Sequence, residues 1–213
     1  MIQERLNSDL NTRAIMHGAD LPWIPSPQTG VERRPLYRVG GEQARATSLV
    51  RYALGSSFSA HIHSGGEEFL VLQGVFEDEH GSYPVGTYVR NPPGSRHSPA
   101  AGIGCMIFVR LRQFHIHDQE HLITHLQAQG NQVLFESEHE RVWVQDMPPS
   151  SYRKLANLRG LEIFVLEGEL TFDDQPLKHL DWIRLPAGDP FEVKAGKDGT
   201  RLWVKDACHD LGF

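Results

Sequence analysis

Two histidines and two glutamates stand close together in the first half of the chain. The stretch HIHSGGEEFLVLQG, residues 61–74, places His61 and His63 one residue apart and Glu67 and Glu68 side by side. Alternate residues of a β-strand point to the same side, so both imidazoles can face one centre. The glycines of SGG permit a turn, after which the chain returns with a carboxylate. Neutral imidazole and carboxylate together suit zinc, iron, nickel or copper.

A third histidine can complete such a centre. His97 ends NPPGSRH, residues 91–97, where two prolines and a glycine make the preceding turn stiff enough to position a ligand. The local pattern leaves open which glutamate would bind, and an ordinary strand–turn–strand is the alternative to a metal site. A second HIH, residues 115–117, has no carboxylate at a matching spacing, so we interpret it as a solvated linker. Residues 77–80 are interpreted as a charged hairpin tip.

The elements that must position these residues are mainly strands. Runs such as EEFLVLQGVFED and LEIFVLEGELTFD are rich in β-branched and aromatic residues, and turn sequences such as HGSYPVG and NPPGS separate them. Many short strands predict an all-β barrel or sandwich. Only residues 118–129, DQEHLITHLQAQ, have a helical pattern, with Asp118 as N-cap and Gly130 as stop. The opening 35 residues are expected to be irregular and to wrap or cap the sheet.

An internal repeat divides the chain. Residues 149–168 align without a gap on residues 55–74, at an offset of 94 residues, so that EIFVLEG matches EFLVLQG. The same offset lays LPAGDPF, residues 185–191, on NPPGSRH. One offset joining two separate motifs predicts two copies of one β-unit, joined by the short helix.

The two motifs resemble those of the cupin superfamily. The first reads G-x5-H-x-H-x3-E-x6-G, and the residues that match it are Gly55, His61, His63, Glu67 and Gly74. The second reads G-x5-P-x-G-x2-H-x3-N, and the residues that match it are Gly86, Pro92, Gly94 and His97, with Ala101 in place of the asparagine. The resemblance implies one divalent metal ion held by His61, His63, Glu67 and His97. It also implies two tandem jelly-roll barrels, with a metal-binding N-terminal cupin over residues 1–116, a helical linker over 117–130 and a C-terminal cupin over 131–213.

The second copy separates the two glutamates. At the four ligand positions it has Leu155, Asn157, Leu161 and Phe191, so its centre is expected to be a filled core that binds no metal. Glu68 recurs there as Glu162, whereas Glu67 is replaced together with the histidines. The repeat therefore favours Glu67 as the ligand, in agreement with the motif spacing.

Residues 20–113 resemble the ChrR-like cupins, and GGEEFLVLQGVFEDE is the most specific part of that likeness. This family is named for an anti-sigma factor whose cupin binds zinc. Its N-terminal sigma-binding zinc domain is not expected here, because residues 1–50 have no cysteine and one histidine, His17. The resemblance implies a regulatory or sensor-type cupin with zinc, reached by a small ligand or an oxidant. The alternative is a non-haem Fe(II) dioxygenase that cleaves C–C bonds in diketones or hydroxyaryl ketones, so whether the chain is an enzyme stays open. Possible pocket residues are Phe58, Phe69, Val71, Tyr88 and Arg90, although Arg90 is more simply an exposed strand residue.

Composition bounds the remaining possibilities. The chain has 213 residues, a formal net charge of −6 and no basic block, which argues against a nucleic-acid surface. Apolar runs are of strand length, and the N-terminus lacks the apolar core of a signal peptide, so we expect a cytoplasmic protein without a membrane partner. Two cysteines are too few for a disulfide framework. The family resemblance also suggests a homodimer.

Overall fold

The computed structural model describes residues 4–41 and 43–209, and every regular element within these residues is a β-strand. Among them there is no helix long and apolar enough to cross a bilayer. The strands are β1 (Arg5–Leu6), β2 (Ala14–Met16), β3 (Ile24–Pro25), β4 (Val31–Val39), β5 (Arg45–Tyr52), β6 (Ser56–Ser57), β7 (His61–His63), β8 (Glu67–Asp78), β9 (Gly81–Pro84), β10 (Thr87–Asn91), β11 (Ser95–His97), β12 (Ala100–Ala101), β13 (Cys105–Leu111), β14 (Leu122–His125), β15 (Gln132–Glu136), β16 (Glu140–Met147), β17 (Tyr152–Leu155), β18 (Leu161–Phe172), β19 (Gln175–Lys178), β20 (Trp182–Leu185) and β21 (Phe191–Ala207).

The chain forms two compact units, each with its own core. The first consists of residues 1–8 and 22–126, and the second of residues 9–21 and 127–213. The opening residues are thus less irregular than expected, because β1 and β3 pair with β4 in the first unit and β2 pairs with β20 in the second. In both units the pairing is antiparallel, which lets one face of the sheet be apolar and the other polar.

In the first unit the hydrogen-bonded strand order is β1-β4-β5-β13-β8-β10-β14, and a separate two-stranded ribbon pairs β7 with β11. The inward face of this sheet is aromatic and aliphatic. Its buried side chains include Val50, Phe69, Val71, Phe76 and Val109. This face is the wall against which the candidate site lies.

In the second unit the order is β15-β16-β21-β18-β20-β2, with β17 paired to β21 and β19 to β18. The long strands β8 and β18 correspond at the offset of 94 residues, and their pairings recur in the same pattern. The ladder skips Leu72 in β8 and Leu166 in β18, which is a bulge at equivalent positions. Gly74 and Gly168 follow with positive φ angles of 68° and 74°, and a Cβ at either would collide with the backbone of the facing strand.

The predicted helical linker is wrong. Residues 122–125 form β14, which pairs antiparallel with β10, and no helix occurs in the described part of the chain. Their burial alternates between partly buried and exposed, as expected of an edge strand. Ile123 and Thr124 are β-branched, and the open edge of β10 offers backbone partners that an isolated helix of this length would lack. Asp118, the expected N-cap, accepts a hydrogen bond from the backbone N–H of Glu120 and pairs with Arg90.

Candidate metal centre

The structure brings the three predicted histidines together. In the ribbon of β7 and β11, His61 lies opposite His97, and His63 follows on the same side of β7. One ligand nitrogen from each imidazole can be chosen so that all lie within 4.8 Å of one another. The turn after His63 returns the chain to Glu67, the first residue of β8, as the sequence predicts.

The separations between the donor atoms fit one shared ion. The Nε2 atoms of His63 and His97 are 2.9 Å apart, and Glu67 Oε2 lies 3.4 Å from each of them. Two ligands bound at about 2.0–2.2 Å to one ion, at angles between roughly 90° and 110°, are separated by about 2.9–3.5 Å. Three nitrogens and one carboxylate oxygen also form the donor set that zinc and non-haem iron accept. The residues present therefore fit a divalent metal.

Burial keeps these histidines in the form that binds metal. Burial, together with the neighbouring His61, lowers the pKa of His63 to about 4. The pKa of His97 is also lowered, chiefly by burial and against the opposing charge of Glu67. Both imidazoles are therefore neutral at physiological pH and can offer a lone pair. Burial raises the pKa of Glu67, because a carboxylate in this setting lacks water to stabilise its charge, and a bound cation would supply that stabilisation.

Asp78 orients His97, a role that the sequence interpretation missed. Its Oδ2 lies 3.2 Å from His97 Nδ1, and its side chain is only 5% exposed. The other oxygen, Oδ1, accepts hydrogen bonds from Tyr83 Oη at 2.9 Å and from the backbone N–H groups of His80 and Gly81. A carboxylate on Nδ1 fixes the ring and leaves Nε2 as the acceptor. The segment interpreted as a charged hairpin tip therefore holds a carboxylate against a candidate ligand.

A signal for Asp78 was present in the repeat. Simple alternation from Glu67 points odd-numbered residues of β8 inward, which would turn Asp78 away from the site. The bulge at Leu72 shifts this alternation, so Phe76 and Asp78 face the core. At the offset of 94 residues Asp78 corresponds to Phe172, an apolar replacement of the kind seen at the ligand positions.

Glu67 has a second polar neighbour that was also missed. Asn91, on β10 directly opposite Glu67, donates a hydrogen bond from Nδ2 to Glu67 Oε2 at 3.2 Å. Both side chains are buried. This contact holds the carboxylate on the side where the imidazole nitrogens converge.

Glu68 points to the opposite face of β8, into a buried network of charges. It accepts hydrogen bonds from Tyr88 Oη and from Arg110, whose guanidinium lies 2.7 Å from Glu68 Oε2. Arg90 lies 3.7 Å from the other oxygen and also pairs with Asp118. The strand ladder pairs Tyr88 with Leu70 and Arg90 with Glu68, so both side chains point to the same face as Glu68. Tyr88 and Arg90 therefore belong to this network and do not line the pocket. The expectation that Arg90 is exposed is also wrong, since its exposure is 0%.

A cavity of about 470 Å³ opens beside the histidines. Its described lining residues include His61, His63, Glu67, Arg33, Tyr52 and Phe58. Phe58 was predicted to line it, whereas Phe69 and Val71 face the same side but are packed into the core. Burial and the charge of Glu67 raise the pKa of Tyr52, so its hydroxyl is a hydrogen-bond donor at neutral pH. His61 is the exposed member of the cluster, so the cavity gives small molecules access to the candidate metal position.

The corresponding centre of the second unit is packed. Leu155 pairs with Phe191 in the register that His61 and His97 have in the first unit. Leu161 and Phe191 are fully buried in the apolar core, where the ring of Phe191 lies 5.3 Å from that of Phe172. Asn157 donates hydrogen bonds to the carbonyl oxygens of Pro186 and Asp189 at 2.7 and 2.8 Å.

Comparisons with known proteins identify a family and a fold for this chain. The family model of the ChrR cupin-like domain matches residues 11–115. A comparison with curated protein sequences finds no match.

Solved structures match nearly the whole chain. A candidate dioxygenase from Nostoc punctiforme has a TM-score of 0.72 at 13% identity, covering 95% of this chain and 85% of its own. The bacterial pirin YhhW from Escherichia coli, in complex with nickel(II), has a TM-score of 0.72 at 12% identity, covering 92% and 100%. A cupin 2 conserved barrel domain protein from Leptotrichia buccalis has a TM-score of 0.58 at 13% identity, covering 91% and 95%. At such identities these likenesses establish the fold.

Proposed function

Because the match over residues 11–115 shows that this chain belongs to the ChrR-like cupins, we propose that its first unit binds one divalent metal ion and acts as a regulatory or sensor-type cupin. The proposed ligands are His61, His63, Glu67 and His97. The observation that carries the proposal is the convergence of these donors beside a cavity open to small molecules. A small ligand or an oxidant would reach the centre through that cavity.

The residues of the chain have distinct tasks in this proposal. Asp78 keeps the proton on His97 Nδ1 and so leaves Nε2 free to bind, while Asn91 holds the Glu67 carboxylate. Burial keeps His63 neutral, so protons compete with the metal only in acid. A bound divalent ion would supply a Lewis acid there, and iron would add a redox centre. Zinc is the metal we propose first, and Fe(II) is the alternative.

The second unit is proposed to be a degenerate cupin barrel that stabilises the protein without a metal. The matched register of β17 with β21 and of β7 with β11 supports a common origin of the two units. Leu161 and Phe191 fill the space that the ligands occupy in the first unit.

An Fe(II) dioxygenase acting on diketones or hydroxyaryl ketones is the second candidate. The observation that favours it is the cavity, because a metal held only for structure needs no access from solvent. Four protein ligands would leave up to two positions of an octahedral iron for other molecules.

Oxygen uptake separates the two candidates. Chelator-treated protein would be loaded with Fe(II) without oxygen, and then mixed with aerated pentane-2,4-dione or a hydroxyaryl ketone. The sensor proposal expects no oxygen consumption above that of free Fe(II). Substrate-dependent uptake that disappears in the His63→Ala variant would replace it with the dioxygenase.

A further inference from the structure

The cavity beside the candidate metal position carries one cationic side chain on its wall. Arg33 lies on β4, two residues after Val31, and both side chains line the cavity. Across the sheet Arg33 pairs with Val50, which also lines the cavity. Among the described residues that line the cavity, it is the single lysine or arginine. A guanidinium on an inward-facing, otherwise apolar strand surface is suited to a carboxylate, which it can bind through two parallel hydrogen bonds.

Tyr52 adds a hydroxyl donor near this arginine. Its ring packs edge-on against Phe58, with the ring centroids 5.5 Å apart, and both rings line the cavity. On the paired strands β4 and β5, Tyr52 lies opposite Val31 and Arg33 lies opposite Val50, so Tyr52 and Arg33 are diagonal neighbours on the inward face of the sheet. Arg33, Tyr52, His61 and His63 all line the cavity, so a molecule in it can contact the arginine and the tyrosine as well as the candidate metal position.

Most of the remaining wall is apolar, with Gln28 and Ser59 as its polar residues. The apolar lining residues include Val31, Val50, Phe58, Val109 and Leu111. The volume of about 470 Å³ lies within the range of roughly 300–1,000 Å³ typical of small-molecule sites. The wall thus suits an aromatic or branched apolar body, and the arginine adds a preference for an acid.

We propose that the cavity binds a small amphipathic carboxylic acid, with its carboxylate held by Arg33 and Tyr52 and its apolar body against the valines and Phe58. The proposal rests on the proposed function, since it takes this cavity to be the route to the metal centre. It names the class of molecule that the centre would sense or transform.

Calorimetry with two matched probes tests this assignment. Zinc-loaded protein would be titrated with 3-phenylpropanoate and with its neutral analogue 3-phenylpropanamide. We expect the acid to bind and the amide to bind at least tenfold more weakly. Loss of a hydrogen bond to a charged group is expected to reduce affinity roughly 10- to 100-fold. The affinity of Arg33→Gln for the acid should therefore fall by this factor, while its affinity for the amide should change little.

The control is Arg51→Gln on the neighbouring strand β5. Arg51 pairs with Glu32 at 2.6 Å and does not line the cavity, so this variant removes the same charge and should keep the preference for the acid. Tyr52→Phe provides a second test of the same end and should weaken binding of the acid by a smaller factor. It keeps the ring contact with Phe58, so it does not depend on Arg33→Gln folding.

The possible results separate a failure of the carboxylate-binding proposal from a failure of the proposed metal site. Equal binding of acid and amide, no binding of the acid, or a preference for the acid that persists in both Arg33→Gln and Tyr52→Phe would overturn the proposal. Persistence would mean that the metal itself binds the carboxylate. The zinc content of each sample is measured in parallel: protein that holds zinc but shows no acid preference refutes only this inference, whereas protein that holds no zinc refutes the proposed function.

Discussion

The two units share one strand pattern and differ at the centre that the strands surround. In the first unit polar residues converge from β7, β8 and β11, and in the second the same register positions are mostly apolar and packed. The replaced pairs are His61 with Leu155, His63 with Asn157, Glu67 with Leu161, Asp78 with Phe172, and His97 with Phe191. The strand ladder and its bulge are therefore maintained in a unit that lacks the candidate ligands.

The pairs show which contacts belong together. In the first unit His97 is held by Asp78, and in the second the ring of Phe191 packs on Phe172, so one polar contact has become one apolar contact. Asn157 in place of His63 binds the carbonyls of the following turn, a purely structural task. Because Asp78 is replaced together with the candidate ligands, its role is expected to be linked to the proposed site.

Glu68 and Glu162 show the opposite behaviour. Both are buried on the outward face of the long strand, where Glu68 binds Tyr88 and Glu162 accepts a hydrogen bond from Trp182 at 2.7 Å. Tyr88 and Trp182 are themselves equivalent positions. This contact is retained in the unit without ligands, so it serves the fold.

The largest expected effect separates the stability of the two units. Chelation should lower the thermal stability of the first unit, by about 4 kcal/mol if free metal had been a thousandfold above Kd, because binding stabilises only the folded form. The second unit should be unaffected. Calorimetric scans with and without chelator would measure this. In the His63→Ala variant, chelator should leave the unfolding temperature unchanged. A chelator-induced shift in the unfolding transition of the second unit would contradict the prediction that metal stabilises the first unit alone.

Substitutions of the adjacent residues Glu67 and Glu68 should have different effects, one on metal affinity and the other on the free energy of unfolding. Glu68→Gln leaves Arg110 and Arg90 as buried charges with a weakened partner, so unfolding free energy should fall by up to about 3–5 kcal/mol while zinc stoichiometry stays the same. Glu67→Gln should weaken zinc binding with a smaller effect on stability. Denaturant unfolding and competition titration measure the two quantities, and an exchange of the two phenotypes would reverse the assignment.

Asp78→Asn should weaken metal affinity by roughly 10- to 100-fold, the usual effect of losing a partner that orients a ligand. Glu77→Gln is the matched control. Glu77 precedes Asp78 on β8 but accepts a hydrogen bond from the backbone of Gly102 at 2.7 Å, away from the histidines. Competition with a chromophoric chelator gives both affinities. Equal affinity of Asp78→Asn and the native protein would remove Asp78 from the site.

The smallest effect uses the two thiols. Burial raises the pKa of Cys105 in the first core to about 12, so its reaction with a disulfide reagent at neutral pH should be slow. Cys208 is exposed and should react first. Chelation should accelerate the slow phase if the first unit loosens, and Cys208→Ser identifies which phase belongs to Cys105. A slow phase indifferent to chelator would indicate that the metal does not stabilise this core.

Local spacing was sufficient to predict that the three histidines converge, whereas the choice of Glu67 over Glu68 needed the internal repeat and the family motif. The all-β class also follows from alternating β-branched runs. Asp78 was missed because a bulge, which side-chain alternation does not reveal, turns it inward. Arg90 was misplaced because its facing depends on the pairing of β10 with β8, and residues 122–125 were given a helix because the open edge of β10 is a tertiary feature.

Elemental analysis of unheated native protein, purified without chelator, tests the central claim most directly. The account predicts one divalent metal ion per chain in the native protein, one in Asn157→Ala, and none above background in His63→Ala. Two ions per chain, or an unchanged metal content in His63→Ala, would contradict the assignment of a single centre to the first unit.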